Sequence, residues 1–534
     1  MKFQAEWPLK TINVRVHRNH AFEPVASILE PYGAFGGWHA EFTYSDYSDA
    51  LDFSENSGNW DAEFVWLDRS RYDGLDDPTM FEWLTQRLGR LRGISAVPII
   101  VMLTCASPSL EADLEKAADG VPACHIARMS EIADMLGNEF LDTRLAKLSG
   151  TALSGRTLTD LAREIACKWL PGAIFPPIKA VALDLDHTLY RGVLGEDGID
   201  GIELTPGHKE LQSYLKELRM RGVFLALVSR NERQDVEELF HARKDFPLAW
   251  ADFSATEIRW GDKADGILAI AERLRIALDA ILYVDDNPGE LRSVAMRLPG
   301  LPILHAPPDA FATMRSVKYY PALWRWRSGK DDSLRVDDLK ASEARSALLA
   351  RAANEDEYFA GLDVHLELAL DPMARLARLA ELSQKTNQFN IALRRIPETE
   401  MASYLQSGES AVVSVSLRDR LSDSGLICMM VVQRSGENLD IEELCVSCRA
   451  LGRRLENIII GEAVSLAQRK LGKGKVRCRW RTGPRNQPAL KWLRQASGDP
   501  LESEEGISTL EGFGPPSLPA GITVSIWENS NDPK

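Results

Sequence analysis

The sequence predicts a multidomain α/β protein, and three observations predict it. Apolar, strand-like runs alternate with helix-like runs through the first two thirds of the chain, the pattern of parallel sheets covered by helices. Two clusters of proline, glycine and charge interrupt that alternation, at 169–179 (WLPGAIFPPIK) and 326–338 (WRSGKDDSLRVDD). The length, 534 residues of which 45% are hydrophobic, exceeds what one core supports and suits roughly two to four domains. The expected division is an N-terminal α/β domain over 1–172, a parallel-sheet domain over 173–325, a linker and helix over 326–361, and a separate α+β domain over 362–534. No fixed-period repeat is present.

In the first region FVWL (64–67) and VPIIVML (97–103) are strand-like, while MFEWLTQRLGRLRG and LEADLEKAAD are helix-like. It contains no G-D-S before a helix and no G-x-S-x-G, so no nucleophilic serine can be named and the domain is expected to serve as scaffold or docking surface. In the second region the strands KAVALDL, VFLALVS and AILYV are separated by helices beginning near His208, Glu232 and Asp262. Leu211, Leu215 and Leu218 give the first of these helices one apolar stripe at 3.6-residue spacing. The third region opens with the strand VHLELAL and the helix MARLARLAELSQ. It later places a strand–loop–helix unit at LDIEELCVSCRALGRRLENIIIGEAV.

A net charge of −15 repels phosphate backbones and anionic membrane surfaces, so neither nucleic acid nor a membrane is expected as a partner. Seven cysteines form a sparse, odd set that suits a reducing cytoplasm better than a disulfide framework. The start, MKFQAEWPLKTINVRVHRNH, lacks the apolar core of a signal peptide, and no later run approaches a membrane-spanning length. A soluble cytoplasmic protein is expected.

The strongest chemical signal is DLDHTLYRG at 184–192, directly after an apolar strand. Residues i and i+2 of an extended chain point the same way, so Asp184 and Asp186 present two carboxylates at the carboxyl end of a strand. That is the edge where open α/β sheets bind ligands. The pair calls for a hard cation such as Mg²⁺, with Asp184, Asp186, Asp285 and Asp286 as candidate ligands. Ser229, closing LALVS, offers a hydroxyl to a phosphoryl oxygen, and Lys263, in RWGDK at a helix start, offers a fixed positive charge. The chemistry read from this set is in-line attack by Asp184 on phosphorus. Asp186 protonates the leaving alkoxide and later deprotonates the water that hydrolyses the aspartyl phosphate.

This order of parts resembles the haloacid dehalogenase superfamily, with its Rossmann-like parallel sheet. Within it, 178–305 resembles the FkbH-like branch, through DLDHTLYRGVLGEDG, SRN, RWGDK and DDNPGE. The resemblance continues through QKTNQFN (384–390) and VSCRALGRRLE (446–456), and so covers most of 178–490. Region one is loosely similar to the degenerate esterase-like (SGNH-like) domain of longer members. The departures are His187 for asparagine, Tyr190 and Arg191 for tryptophan and glycine, Arg230 for lysine, and Arg454 where the family has glycine.

The resemblance implies a GNAT-like C-terminal acyltransferase domain, with Cys448 as acyl acceptor. It further implies that Thr188, Arg230, Asn231, Asn387, Gln388, Asn390, Arg449, Gly452 and Arg453 bind substrate. Members of this branch dephosphorylate a 1,3-bisphosphoglycerate-like donor and load the glyceryl unit onto an acyl carrier protein through its phosphopantetheine arm. The implied partners are therefore a phosphorylated three-carbon substrate and such a carrier. Other readings stay open on the residues alone. A lone cysteine near an apolar strand, as Cys448 is, is more usually a small buried hydrophobe, the amides of QKTNQFN equally cap a helix, and the basic stretch 449–494, which would suit an acidic carrier protein or its arm, is equally a solvated face. At the level of function, the alternatives are a phosphatase fused to an acyl-CoA-dependent transferase acting on a sugar or amine, and a docking module with inactive sites.

Overall fold

The computed structural model describes residues 9–53, 58–144, 149–327 and 330–527. Residues 1–8, on which part of the leader reading rests, and 328–329 of the expected linker lie outside the described residues. The chain divides into two compact units, one of Met1–Ile178 with Met314–Arg327, the other of Lys179–Thr313 with Ser328–Lys534.

The first unit is built on a fully parallel sheet of β1 (Lys10–Arg18), β2 (Trp38–Tyr47), β3 (Ala62–Asp68), β4 (Ile99–Thr104) and β5 (Cys124–Ala127), in the order β2-β1-β3-β4-β5. Helices α1 (Glu23–Phe35), α2 (Asp77–Ile94), α3 (Pro108–Ala118) and α4 (Gly155–Glu164) accompany it. Strand β4 is buried at every position, as a strand covered on both faces must be. The segment 314–327 belongs with this unit, whereas the sequence placed its greater part in the next domain. Its tryptophans explain the difference: Trp326 Nε1 donates to the Trp169 carbonyl at 2.9 Å, and its ring stacks on His125.

The second unit contains two sheets. One is parallel, made of β6 (Ala180–Leu183), β7 (Phe224–Ser229), β8 (Phe253–Ile258), β9 (Ile281–Asp285) and β10 (Ile303–His305), ordered β10-β9-β6-β7-β8. It is interleaved with α5 (Pro206–Met220), α6 (Arg233–Ala242), α7 (Lys263–Leu274) and α8 (Pro288–Arg297). In α5 the stripe of Leu211, Leu215 and Leu218 is buried, and Thr205 caps the helix ahead of a proline in its first turn.

Helix α9 (Lys330–Arg351) follows, within the stretch 326–361 expected as linker and helix. Within the charge cluster at 326–338, Asp338 is buried against Arg345 and Arg453. The second sheet comprises β11 (Val364–Leu370), β12 (Ser410–Arg418), β13 (Asp423–Ser435), β14 (Asn438–Val446), β15 (Lys475–Arg481), β16 (Glu505–Thr509) and β17 (Ile522–Trp527). Its order is β16-β15-β14-β13-β12-β11-β17, with β14/β15 and β11/β17 parallel and the other pairs antiparallel. Helices α10 (Leu376–Lys385), α11 (Glu456–Leu471) and α12 (Gln487–Ser497) are among those that pack in this mixed α/β domain, α11 being the crossover from β14 to β15.

Strand β15 shows why the basic stretch is basic. Val476, Cys478 and Trp480 are buried at alternate positions, so the arginines between them face outward with period two. There they meet acids: Arg477 pairs with Asp440, Arg479 with Glu442 and Arg481 with Glu505. On this strand the positive run is a set of cross-strand pairs, not an unbalanced basic face.

Candidate active site and a second cavity

The carboxyl ends of three neighbouring strands carry the first site. Asp285 ends β9, Asp184 directly follows β6, and Ser229 ends β7, the three strands being adjacent in the sheet. Lys263 is the first residue of α7, placed there by Asp262, whose side chain caps the helix by accepting from the Ala264 N–H at 2.8 Å. Its Nζ lies 2.6 Å from Asp285 Oδ2 and 3.0 Å from Asp184 Oδ1. Burial opposes a charged Lys263, yet Asp184 and Asp285 outweigh it and hold the ammonium above its ordinary value.

Burial pushes the Asp184 carboxyl up to about 7, against the pull of Lys263, and the neighbouring Asp285 adds to the rise. Burial and Asp285 likewise push Asp286 up. The carboxylate oxygens of Asp184, Asp285 and Asp286 approach within 4.8 Å of one another. Three acids facing one ammonium leave a deficit of positive charge, and an all-oxygen donor set suits a hard divalent cation such as Mg²⁺. Asp285 is anchored for this role by the Asn287 N–H at 2.8 Å and by the Tyr283 hydroxyl.

Asp186 is placed differently from the expectation that its side chain shares the metal set. Its carboxylate lies outside that group of three: Oδ1 accepts from the Tyr190 hydroxyl at 2.7 Å and the Leu194 N–H at 2.9 Å, and Oδ2 from Asn231 Nδ2 at 2.8 Å. These three donors hold its carboxylate beside the cluster. Asn231 also donates to Ser229 Oγ at 3.0 Å, leaving the serine proton available to a phosphoryl oxygen. The Thr188 hydroxyl is buried without a hydrogen-bond partner among the described residues, which leaves a donor in the same loop. Arg230 is committed to Glu290 and to the Gly261 carbonyl, so it braces the loop before α7.

Two departures from the family strings have local reasons. His187 sits at φ +55, a left-handed conformation that asparagine tolerates well and histidine accepts. Tyr190, where the strings have tryptophan, supplies the hydroxyl that Asp186 accepts. Its ring is wholly buried, and burial, reinforced by Asp186, pushes its pKa far up, so it remains a donor. Sequence reading noted Tyr190 only as a departure from the family strings, and did not single out Tyr283 or Asn287 for the site. Only Asn287 had a local signal, as the asparagine of an Asn-Pro helix start.

The residues expected to handle an acyl group gather elsewhere. A cavity of about 400 Å³ lies between the parallel sheet and the C-terminal domain, lined in part by Cys448, Asn387, Gln388, Arg449, Gly452 and Arg453. Cys448 is half-buried, whereas Cys428, Cys445 and Cys478 of the same domain are buried, with their thiols pushed up by that burial. Asn390 does not line the cavity: Nδ2 donates to the carbonyls of Ser383 and Thr386 at the end of α10, the capping alternative of the sequence reading. Arg453 touches the cavity, but its guanidinium is bonded to Asp338, Asp419 and Ser424 in a buried network shared with Arg345. Arg449 is likewise turned inward, to Ser447 Oγ and the Leu426 carbonyl. Arg454 takes φ +60, the conformation for which glycine is suited, and pairs with Glu355.

On the parallel sheet, this cavity meets the opposite edge from Asp184. Lys179 and Phe224, at the amino ends of β6 and β7, are among its lining residues. Five residue-to-residue steps of extended chain lead from Lys179 to Asp184, or ~16 Å.

No family model and no curated protein matches the chain. Among solved structures it is similar to the N-terminal part of the protein BF1531 from Bacteroides fragilis, described as containing a phosphatase domain complexed with Mg. The identity is 19%, the match covers 60% of this chain and 95% of that one, and the TM-score is 0.46.

Proposed function

We propose that the chain is a Mg²⁺-dependent phosphatase of the haloacid dehalogenase type, acting through Asp184. The observation that carries this reading is the convergence of Asp184, Ser229 and Asp285 on adjacent strand ends with the Lys263 ammonium between two of the carboxylates. Asp184, Asp285 and Asp286 would hold the ion, which supplies charge neutralisation for the incoming phosphate. Ser229 and Lys263 orient and stabilise the phosphoryl oxygens while Asp184 attacks phosphorus. Asp186, held by Tyr190, Leu194 and Asn231, gives a proton to the leaving oxygen and takes one from the water that opens the aspartyl phosphate. The test is release of phosphate from a panel of phosphomonoesters with and without Mg²⁺. Turnover that survives either Asp184→Asn or removal of the ion contradicts the assignment.

We further infer that the Cys448 cavity is an acyl-transfer site, loading a glyceryl or related three-carbon unit onto the thiol of an acyl carrier protein. Its support is that Cys448 is the one described cysteine of the C-terminal domain not buried, and that it shares a cavity with Asn387 and Gln388. The competing reading, transfer from free acyl-CoA to a sugar or amine, would use the same cavity. Intact-protein mass spectrometry after separate incubations with 1,3-bisphosphoglycerate and with acyl-CoA decides between them. An adduct that Cys448→Ala removes, and that a carrier protein discharges, supports the first, whereas an adduct formed only with acyl-CoA supports the second.

A further inference from the structure

Helix α7 touches both places. Its first residue holds Asp184 and Asp285, and its last turn lines the cavity through Ala271, Glu272 and Leu274. Twelve residues at helical rise span ~18 Å. Along that length the helix lies close to the sheet: a side chain added at Gly266 would meet Val228 at 3.2 Å and Glu257 at 3.3 Å. Such a helix moves as a unit with little freedom to bend.

The helix ends on Arg275, at φ +54, and the next N–H, of Ile276, closes the turn on the Ala271 carbonyl at 3.0 Å. Glycine is the usual residue there, and another residue costs ~1 kcal/mol. The arginine side chain turns into the cavity wall and donates to the carbonyls of Cys448 and Leu451, at 3.3 and 3.2 Å. Both bonds are long and end on neutral acceptors, so an anion's oxygens would compete for the guanidinium with shorter, charge-assisted bonds.

The rest of the lining selects the class of ligand. Of its acids, Glu381 is shared by Arg378 and Lys385, and Asp338 by Arg345 and Arg453. Although burial opposes it, the two cations hold Glu381 well below the usual carboxylate range. Each of these two acids thus faces two cations; the third acid of the lining, Glu272, is exposed, and Lys179, Arg275, Arg449 and Arg485 add further positive charge, Arg485 with Asp279 at 3.8 Å. Between the charges lie Phe224, Leu274, Leu339, Leu349 and Leu382. This combination accepts an organic anion with an apolar body.

We propose that the cavity binds such an anion through Arg275 and that helix α7 couples its occupancy to the acidic cluster through Lys263. Lys263 occupies carboxylate oxygens that a metal would share, so a displacement of the helix changes cation affinity, and the cation changes anion affinity by the same factor. The coupling rests on the metal-dependent reading of that cluster, while binding in the cavity does not.

The test uses the full chain, hexane-1-sulfonate as a phosphorus-free probe, and Mn²⁺ followed by electron paramagnetic resonance. Saturating sulfonate is expected to change the apparent Mn²⁺ Kd at least threefold and to slow alkylation of Cys448. Arg275→Gly, which suits the backbone at φ +54, should remove both effects, and Arg275→Lys should restore them in part. Sulfonate that protects Cys448 but leaves Mn²⁺ affinity unchanged would overturn the coupling, and undiminished effects in Arg275→Gly would overturn the role of Arg275. Failure to protect Cys448 would overturn the anion site. Absence of any Mn²⁺ binding would overturn the coupling together with the metal-dependent reading, and protection of Cys448 would still report on the cavity.

Discussion

The Tyr190 hydroxyl donates to Asp186 Oδ1 at 2.7 Å from a side chain that is itself wholly buried. Tyr190→Phe removes that donor while keeping the ring that stacks on Phe246. The expected result is a fall of about tenfold in kcat, or ~1.4 kcal/mol of barrier, with KM little changed. Loss of the buried hydrogen bond should cost ~1 kcal/mol in denaturant-measured stability. A variant with unchanged kcat would show that Leu194 and Asn231 position Asp186 unaided.

Asp184→Asn should abolish phosphatase turnover by several orders of magnitude, because an amide cannot attack phosphorus. Stability is expected to move far less, since the buried carboxylate is already at odds with its surroundings and Lys263 retains Asp285. Thermal melts will also separate the two forms by metal response. Mg²⁺ should raise the Tm of the parent by mass action and raise that of Asp184→Asn less.

Alkylation with iodoacetamide under native conditions should modify Cys448, which is half-buried, and more slowly the exposed Cys105, whose thiol is pushed up to about 11 by burial and Asp68, and should spare the five buried cysteines. Peptide mapping will identify the sites, and Cys448→Ala should lose one of the two adducts. Rapid labelling of Cys445 or Cys428 would contradict their burial in the sheet.

Glu443 supplies a pH dependence in the C-terminal domain. Burial pushes its carboxyl up to about 7, although the N–H groups of Arg394, Ala392 and Leu444 favour the charged form. A raised folded-state value means that its contribution is fully present below the unfolded value, ~4.5, and is lost as pH rises through 7. Between pH 5 and 8 the parent should therefore lose stability relative to Glu443→Gln, by an amount on the order of 3 kcal/mol. Urea titrations of both proteins at the two pH values measure this difference. Parallel pH profiles would show that the three N–H groups compensate the buried charge.

The residues proposed for phosphoryl transfer were legible because each stands at a local boundary. Asp184, Ser229 and Asp285 close apolar strands, Lys263 opens a helix, and parallel topology brings such ends together. What sequence could not show was where a side chain turns after its strand ends. Asp186 is two residues from Asp184, yet its direction is set by Tyr190 and Leu194 further along its own loop and by Asn231, 45 positions away. Arg453 reads as a substrate arginine, and only the fold brings Asp338 and Asp419 to it. The same limit hid Arg275, whose partners lie 173 and 176 residues further on.

The two edges of the parallel sheet bear on how a two-step reaction would run. A three-carbon unit on Cys448 cannot swing the length of a strand to Asp184, so the two chemistries cannot share one bound intermediate in place. Whatever passes between them must leave into solvent or travel on a long tether. In the first case, added unlabelled intermediate would dilute the label; in the second, only a carrier-borne group would resist dilution. Isotope dilution during turnover would therefore reveal the route.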